Sequence, residues 1–195
     1  NNITEITKFM DECKSMKIQV LGPDVNESQY KFSVNKKGNI RFGLGAIKGV
    51  GDSAVQAIVR EREANGPYKG IFDFVERVNL SACGKKTIES LAISGAFDSF
   101  KEIHREDFSA LTSKGEPFLD TLVRYGVKVQ SDKMSQVASL FGSEAPIVTT
   151  PPEIPRGVPL SDIERLDKER ELVGMYLSAH PLDAYKLELL YGCNT

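Results

Sequence analysis

Apolar positions recur along the chain with two different spacings, and these divide it into elements. Residues 3 to 16, ITEITKFMDECKSM, carry apolar groups at Ile3, Ile6, Phe9, Met10, Cys13 and Met16. Steps of three and four place these groups on one stripe of a helix, because about 3.6 residues complete a turn. Pro23, Asp24, Asn26 and Ser28 then mark a turn. YKFSV at 30–34 and IRFGL at 40–44 alternate instead, on either side of Lys36-Lys37-Gly38-Asn39. That pattern predicts a small β-hairpin. From 44 to 100 the spacing is helical again and punctuated by glycine. A helix is expected from Asp52 to Asn65, with Ala54, Val55, Ile58 and Val59 inward, stopped by Gly66-Pro67. IFDFVERV at 71–78 predicts a second, facing inward with Ile71, Phe74, Val75 and Val78. KKTIESLAISGAF at 85–97 predicts a third, with Ile88, Leu91, Ala92 and Ile93 buried and Gly95 as its stop.

Beyond residue 104 the periodicity weakens. Residues 104–134 predict one or two more polar helices, interrupted near Gly115-Glu116-Pro117. Between Ser135 and Pro159 the prolines at 146, 151, 152, 155 and 159 forbid regular elements and predict a flexible, extended tether. Ser161, with Glu164 three residues on, forms a capping box for a closing helix, DIERLDKERELVGMYL.

Composition narrows the function classes. With 41% hydrophobic and 27% charged residues the 195-residue chain is of ordinary globular type. No run approaches the roughly 18 apolar residues of a membrane helix, and NNITEITKFM has no secretory pattern. The missing initiator Met suits a piece of a longer protein or a processed chain. Cys13, Cys83 and Cys193 are isolated, which argues against a disulfide framework or zinc site and for a reducing, cytoplasmic setting. His104 and His180 are also alone, and carboxylate pairs such as Glu61/Glu63 sit in charge-mixed helical text, so no catalytic constellation is expected. The net charge of −2 hides a basic stretch. Residues 36–105 hold 12 Lys and Arg against 8 Asp and Glu. A surplus of this size suits phosphate binding without establishing it.

The chemistry concentrates in IKGVGDSA, residues 47–54. A dinucleotide fingerprint would need a strand before the first glycine and a parallel βαβ unit after it. Ala54 sits at the third position of that pattern, yet no βαβ unit follows. A helix-hairpin-helix fits better. Val50 would turn inward as a pin, while Gly49 and Gly51 adopt backbone angles denied to other residues and let a ligand approach. The N–H groups of Asp52 and Ser53 would then face an anion at a helix N-terminus, with Lys48 as a charged flank. Such a turn grips a DNA phosphate without reading bases. An ordinary tight turn is the plain alternative. A degenerate second copy supports the hairpin reading: Gly84, Lys85, Lys86 and Thr87 head the helix after IFDFVERV, with Ala82 or Cys83 replacing the first glycine. It either completes a tandem clamp on a duplex backbone or serves structure alone.

Four ordered blocks then carry a resemblance. MKIQVLGPDVNES (16–28), IRFGLGAIKGVG (40–51), IESLAISGAFDSF (88–100) and ELVGMYLSAHPLDAY (171–185) resemble the alpha subunits of bacterial replicative DNA polymerase III. The resemblance covers nearly the whole chain. It implies a mainly α fold: residues 1–35 ending a fingers region, a tandem helix-hairpin-helix module over 36–110, and a helical connector at 111–134. A flexible clamp-binding segment at 135–160 and a helix at 161–195 leading to an oligonucleotide-binding fold would follow. It also gives SQVASLFG (135–142) a role. On physical grounds this is an exposed apolar anchor or a strip packed on a local helix; in the family this segment carries a sliding-clamp-binding peptide, matched by Gln136, Leu140 and Phe141. The partners implied are double-stranded DNA, the sliding clamp and other replicative holoenzyme subunits, with no membrane. The family's Mg2+-binding catalytic carboxylates lie in a palm region that nothing here matches, so the parent would be a DNA-directed DNA polymerase and this piece inactive, without cofactor. The competing readings are a helix-hairpin-helix module of a repair or recombination enzyme, and a structural connector without DNA contact.

Overall fold

The computed structural model describes residues 3–138, 149–177, 179 and 181–185. Helix α1 (Ile3–Ser15) leads into a small sheet of β1 (Val20–Leu21), β2 (Ser33–Val34) and β3 (Ile40–Arg41). β3 lies in the middle, antiparallel to β2 in the expected hairpin and parallel to β1, with Ile40 opposite both Val20 and Val34. The hairpin turn is organised by Asn35, whose Oδ1 accepts the N–H groups of Lys37 and Asn39, each at 3.0 Å. A division at residue 36 therefore runs through this sheet. Of the stripe predicted on α1, Met10 packs on the core, while Phe9 and Met16 are exposed.

A 3-10 turn, Leu44–Ala46, carries the chain from β3 to α2 (Asp52–Asn65), α3 (Ile71–Arg77) and α4 (Lys85–Ile93). Ala54, Val55, Ile58, Ile71, Phe74, Val75, Val78, Ile88, Leu91 and Ala92 are buried in one apolar cluster as the periodicity requires; Val59 and Ile93 are only half-buried. Polar ties that periodicity does not reveal lock this core to the N-terminal loop. Arg62, buried on the inner face of α2, donates to the carbonyls of Val25 (2.8 Å) and Ser28 (3.0 Å). Ser28 itself donates to the Phe42 carbonyl at 2.6 Å. Burying these groups is tolerable because each is hydrogen-bonded.

After a second 3-10 turn (Arg105–Ser109), residues 111–117 form the predicted interruption, closed by a bridge between Leu111 and Pro117. Helix α5 (Phe118–Ala138) then packs across α3. Gly126 permits the close approach: a Cβ there would lie 2.7 Å from the Val75 carbonyl. Gln130 Nε2 donates to the carbonyls of Val75 and Val78, both at 2.8 Å, closing the C-terminal end of α3.

The tether expectation is corrected at both described ends. α5 continues through Ala138, because no proline interrupts it before Pro146. Residues 149–160 are extended but pinned. Asp107, only 2% exposed, accepts from Arg156 (3.0 Å), from the Gly157 N–H (2.8 Å) and from the His104 N–H (2.9 Å). Ile154 packs on the core. Helix α6 (Asp162–Val173) has the expected Ser161/Glu164 capping box and ends at Gly174 in the left-handed region. Buried Glu169 pairs with Arg105 and accepts the Leu177 N–H at 2.9 Å, which fastens α6 to the rest.

Candidate nucleic-acid interface

The turn ahead of α2 spans Ile47–Val50 and is closed by the Val50 N–H on the Ile47 carbonyl at 3.1 Å. Its third residue, Gly49, has φ +88, the value a type II turn demands there and one that L side chains rarely adopt. Ile47 and Val50 are buried, so Val50 is the inward pin, while Lys48, Gly49, Gly51, Asp52 and Ser53 are exposed. Gly51 corrects the expectation of two conformationally obligatory glycines. It is the N-cap of α2 at φ −80, ψ 162, an ordinary extended conformation, and a Cβ there would meet nothing within 4 Å. What glycine supplies at 51 is a missing side chain. No capping group covers the helix end. Ala54 and Val55 N–H groups go to the Gly51 carbonyl, and those of Gly51, Asp52 and Ser53 have no acceptor among the described residues.

The second turn reaches the same end state. Gly84 caps α4 at φ −76 with no side-chain hydrogen bond; Thr87 and Ile88 N–H groups go to its carbonyl, and those of Lys85 and Lys86 have no acceptor among the described residues. Here Cys83, fully buried, takes the place of Val50 as the pin. Burial pushes its thiol up to about 12, so it stays protonated and inert.

The structure brings the two turns together. The Thr87 hydroxyl donates to the Gly49 carbonyl at 3.3 Å, and a Cβ on Gly49 would lie 2.7 Å from Ser90 Oγ. Two uncapped helix ends, each the positive end of a dipole, thus share one exposed region. Lys48 and Lys86 are exposed without a carboxylate partner among the described residues. Lys85 differs, being held by Asp120 of α5 at 2.5 Å. Asp52 accepts from Gln56 at 2.6 Å and places a carboxylate beside the α2 terminus. Sequence reasoning missed the support behind the first turn. The Lys48 N–H donates to the Leu172 carbonyl of α6 at 2.9 Å, and no local pattern signals a partner so far along the chain. Gln136 lies within the last turn of α5 by its backbone, whereas Leu140 and Phe141 fall outside the described residues.

Comparison with known proteins fits this geometry. The helix-hairpin-helix motif family matches residues 17–108. DNA polymerase III subunit alpha of Chlamydia muridarum is 40% identical over 187 residues, covering 95% of this chain and 15% of that protein. The Vibrio cholerae subunit is 36% identical over 196 residues (97% and 16%), and that of Haemophilus influenzae 36% over 203 (100% and 16%). The chain aligns with a segment of the DNA polymerase III alpha family. It therefore spans about 15% of the length of the relatives it matches, and the family named from its four sequence blocks is the one found. The expected fold class also holds: six α-helices and one three-stranded sheet among the described residues, with a helix-hairpin-helix match. The first hairpin departs from a full motif in one respect, since only the 3-10 turn Leu44–Ala46 precedes it, whereas α3 precedes the second. Among the described residues no group of three or more His, Cys, Asp or Glu is placed to hold a metal ion, and no helix is long and apolar enough to cross a membrane.

Proposed function

We propose that this segment grips the backbone of double-stranded DNA, without reading sequence, and tethers a DNA polymerase III alpha subunit to its sliding clamp. The parent would be a cytoplasmic, Mg2+-dependent DNA-directed DNA polymerase working with other replicative holoenzyme subunits, and this segment would have no polymerase activity alone. The observation that carries the DNA reading is the contact between Thr87 and Gly49, which sets two uncapped helix N-termini side by side. Backbone N–H groups and a helix dipole recognise phosphate but not bases, so affinity should fall with salt and vary little with sequence. Titration of the chain with two unrelated blunt duplexes at two salt concentrations tests this. Binding indifferent to salt would sink it. For the tether, a peptide spanning Ser135–Gly142 should bind a bacterial sliding clamp and lose binding on Phe141→Ala; no binding by the unaltered peptide refutes that part.

A further inference from the structure

Strand β2 lies at the edge of the sheet, and the segment from Tyr30 into it carries exposed apolar side chains. Tyr30 is 44% exposed, Phe32 38% and Val34 71%. Tyr30 and Lys31 lie in the bend that leads, through Phe32, into β2 (Ser33–Val34). Phe32 and Tyr30 are held in place from behind. The Phe32 ring meets Phe42 edge-on, with centroids 4.6 Å apart, and the Tyr30 ring lies so close over Gly45 that a Cβ there would be 2.6 Å from it. An apolar edge of this kind is an association hazard unless something covers it.

Charge identifies what covers it. The eight residues 30–37, YKFSVNKK, contain three lysines and no carboxylate, in a chain whose net charge is −2. Lys31, Lys36 and Lys37 are all exposed, and none has an ion-pair partner among the described residues. The nearby Glu27 is occupied by Arg41. An apolar protein partner would leave these three charges uncompensated, whereas a polyanion with flat apolar faces matches both features at once. Unpaired nucleic acid is such a ligand: its bases stack on aromatic rings and its phosphates take the lysines. The position agrees as well. Gly45, beneath the Tyr30 ring, precedes Lys48 by three residues, at most roughly 11 Å of chain.

We infer that the edge formed by Tyr30, Phe32, Lys31, Lys36 and Lys37 is a second nucleic-acid site, which takes single-stranded DNA continuing from the duplex held at residues 48–51. It rests on the duplex-grip reading for its placement, and the test separates the two. The chain has no Trp, so Tyr30→Trp installs a single reporter. Its emission should be quenched by a duplex carrying a single-stranded overhang and not by the blunt duplex. The overhang should tighten binding about tenfold, the scale of one or two stacked bases. Lys36→Ala/Lys37→Ala at the exposed hairpin tip should remove most of that gain and leave blunt-duplex affinity unchanged. If blunt duplex binds but the overhang neither quenches nor tightens, the second site is refuted and the grip stands. Overhang binding without blunt-duplex binding supports the second site and refutes the grip. No binding of either refutes both. Emission of the Tyr30→Trp variant shifted to the blue by sliding clamp protein and indifferent to single strand would make the edge a protein-docking patch, overturning the inference.

Discussion

The turns ahead of α2 and α4 end on the same device, a glycine N-cap with no side chain, but reach it by different routes. The first bends through Gly49 at φ +88 and is pinned by Val50. The second bends without any left-handed residue: Asn79 accepts the N–H groups of Ala82 and Cys83 on its carbonyl and that of Ser81 on its side chain, and Cys83 is the pin. The first turn is exposed at both bend and cap, the second at Asn79 and Ser81 with its Gly84 cap half-buried. Degeneracy in sequence therefore need not mean loss of the shared geometry, a buried pin followed by an uncapped helix end. The two turns differ in their flanks, with Lys48 exposed and, among the described residues, without a carboxylate partner, and Lys85 held by Asp120.

Substitutions can break this comparison. The largest effect is expected for Gly49→Val, which forces a branched residue to positive φ and pushes Cβ onto Ser90. It should cost about 3 kcal/mol in denaturant unfolding. Adding Ser90→Ala should restore only the steric part. Cys83→Ser, which puts a hydroxyl in a fully buried position, should cost about 2 kcal/mol. The thiol also gives a pH signature. An unfolded Cys loses its proton from about pH 8.5, while the folded one keeps it until about 12. The native state holds the proton longer, so its stability contribution is complete below about pH 8.5 and declines as pH rises through that window. Cys83→Ala should flatten the decline in pH-dependent unfolding.

Smaller in stability but sharper in function is Gly51→Asp. Nothing lies near that Cβ, and Asp is a better N-cap than Gly, so the fold should be unchanged or stabilised by a few tenths of a kcal/mol. The carboxylate would occupy the anion position, and duplex affinity should fall at least about tenfold, or ~1.4 kcal/mol. Gly84→Asp asks the same of the second turn; an unchanged affinity there would assign DNA contact to the first turn alone. Least is expected of Lys48→Ala and Lys86→Ala, each lowering the slope of log affinity against log salt by about one. Lys85→Ala should change it less, since Asp120 already neutralises that charge.

What was legible in the sequence follows from range. α2 was bounded at Asp52 and Asn65 because a glycine precedes it and Gly66-Pro67 follows, both local signals. The capping box of α6 was equally local. β1 was missed because two residues, Val20 and Leu21, hold no alternation, and their pairing is with a strand twenty residues away. Arg62, Asp107 and Glu169 were missed because a polar residue in the core is defined by its distant partners, not by its neighbours in sequence. At the candidate site the residues were readable and their reasons only in part. Gly49 and Gly51 look alike in the string, and only the backbone tells a required bend from an omitted cap.

The hydrogen bond from Lys48 to Leu172 also has a consequence in time. Leu172 follows Lys48 by 124 residues. At about 5–20 residues per second on the ribosome, roughly 6–25 s separate synthesis of the bend from synthesis of the carbonyl that secures it. Contacts of such sequence separation form slowly, because the closure entropy comes before the gain. The nascent chain thus carries α2 and its turn for seconds before α6 can latch behind them, and the support behind this turn is among the last parts of the segment to be completed.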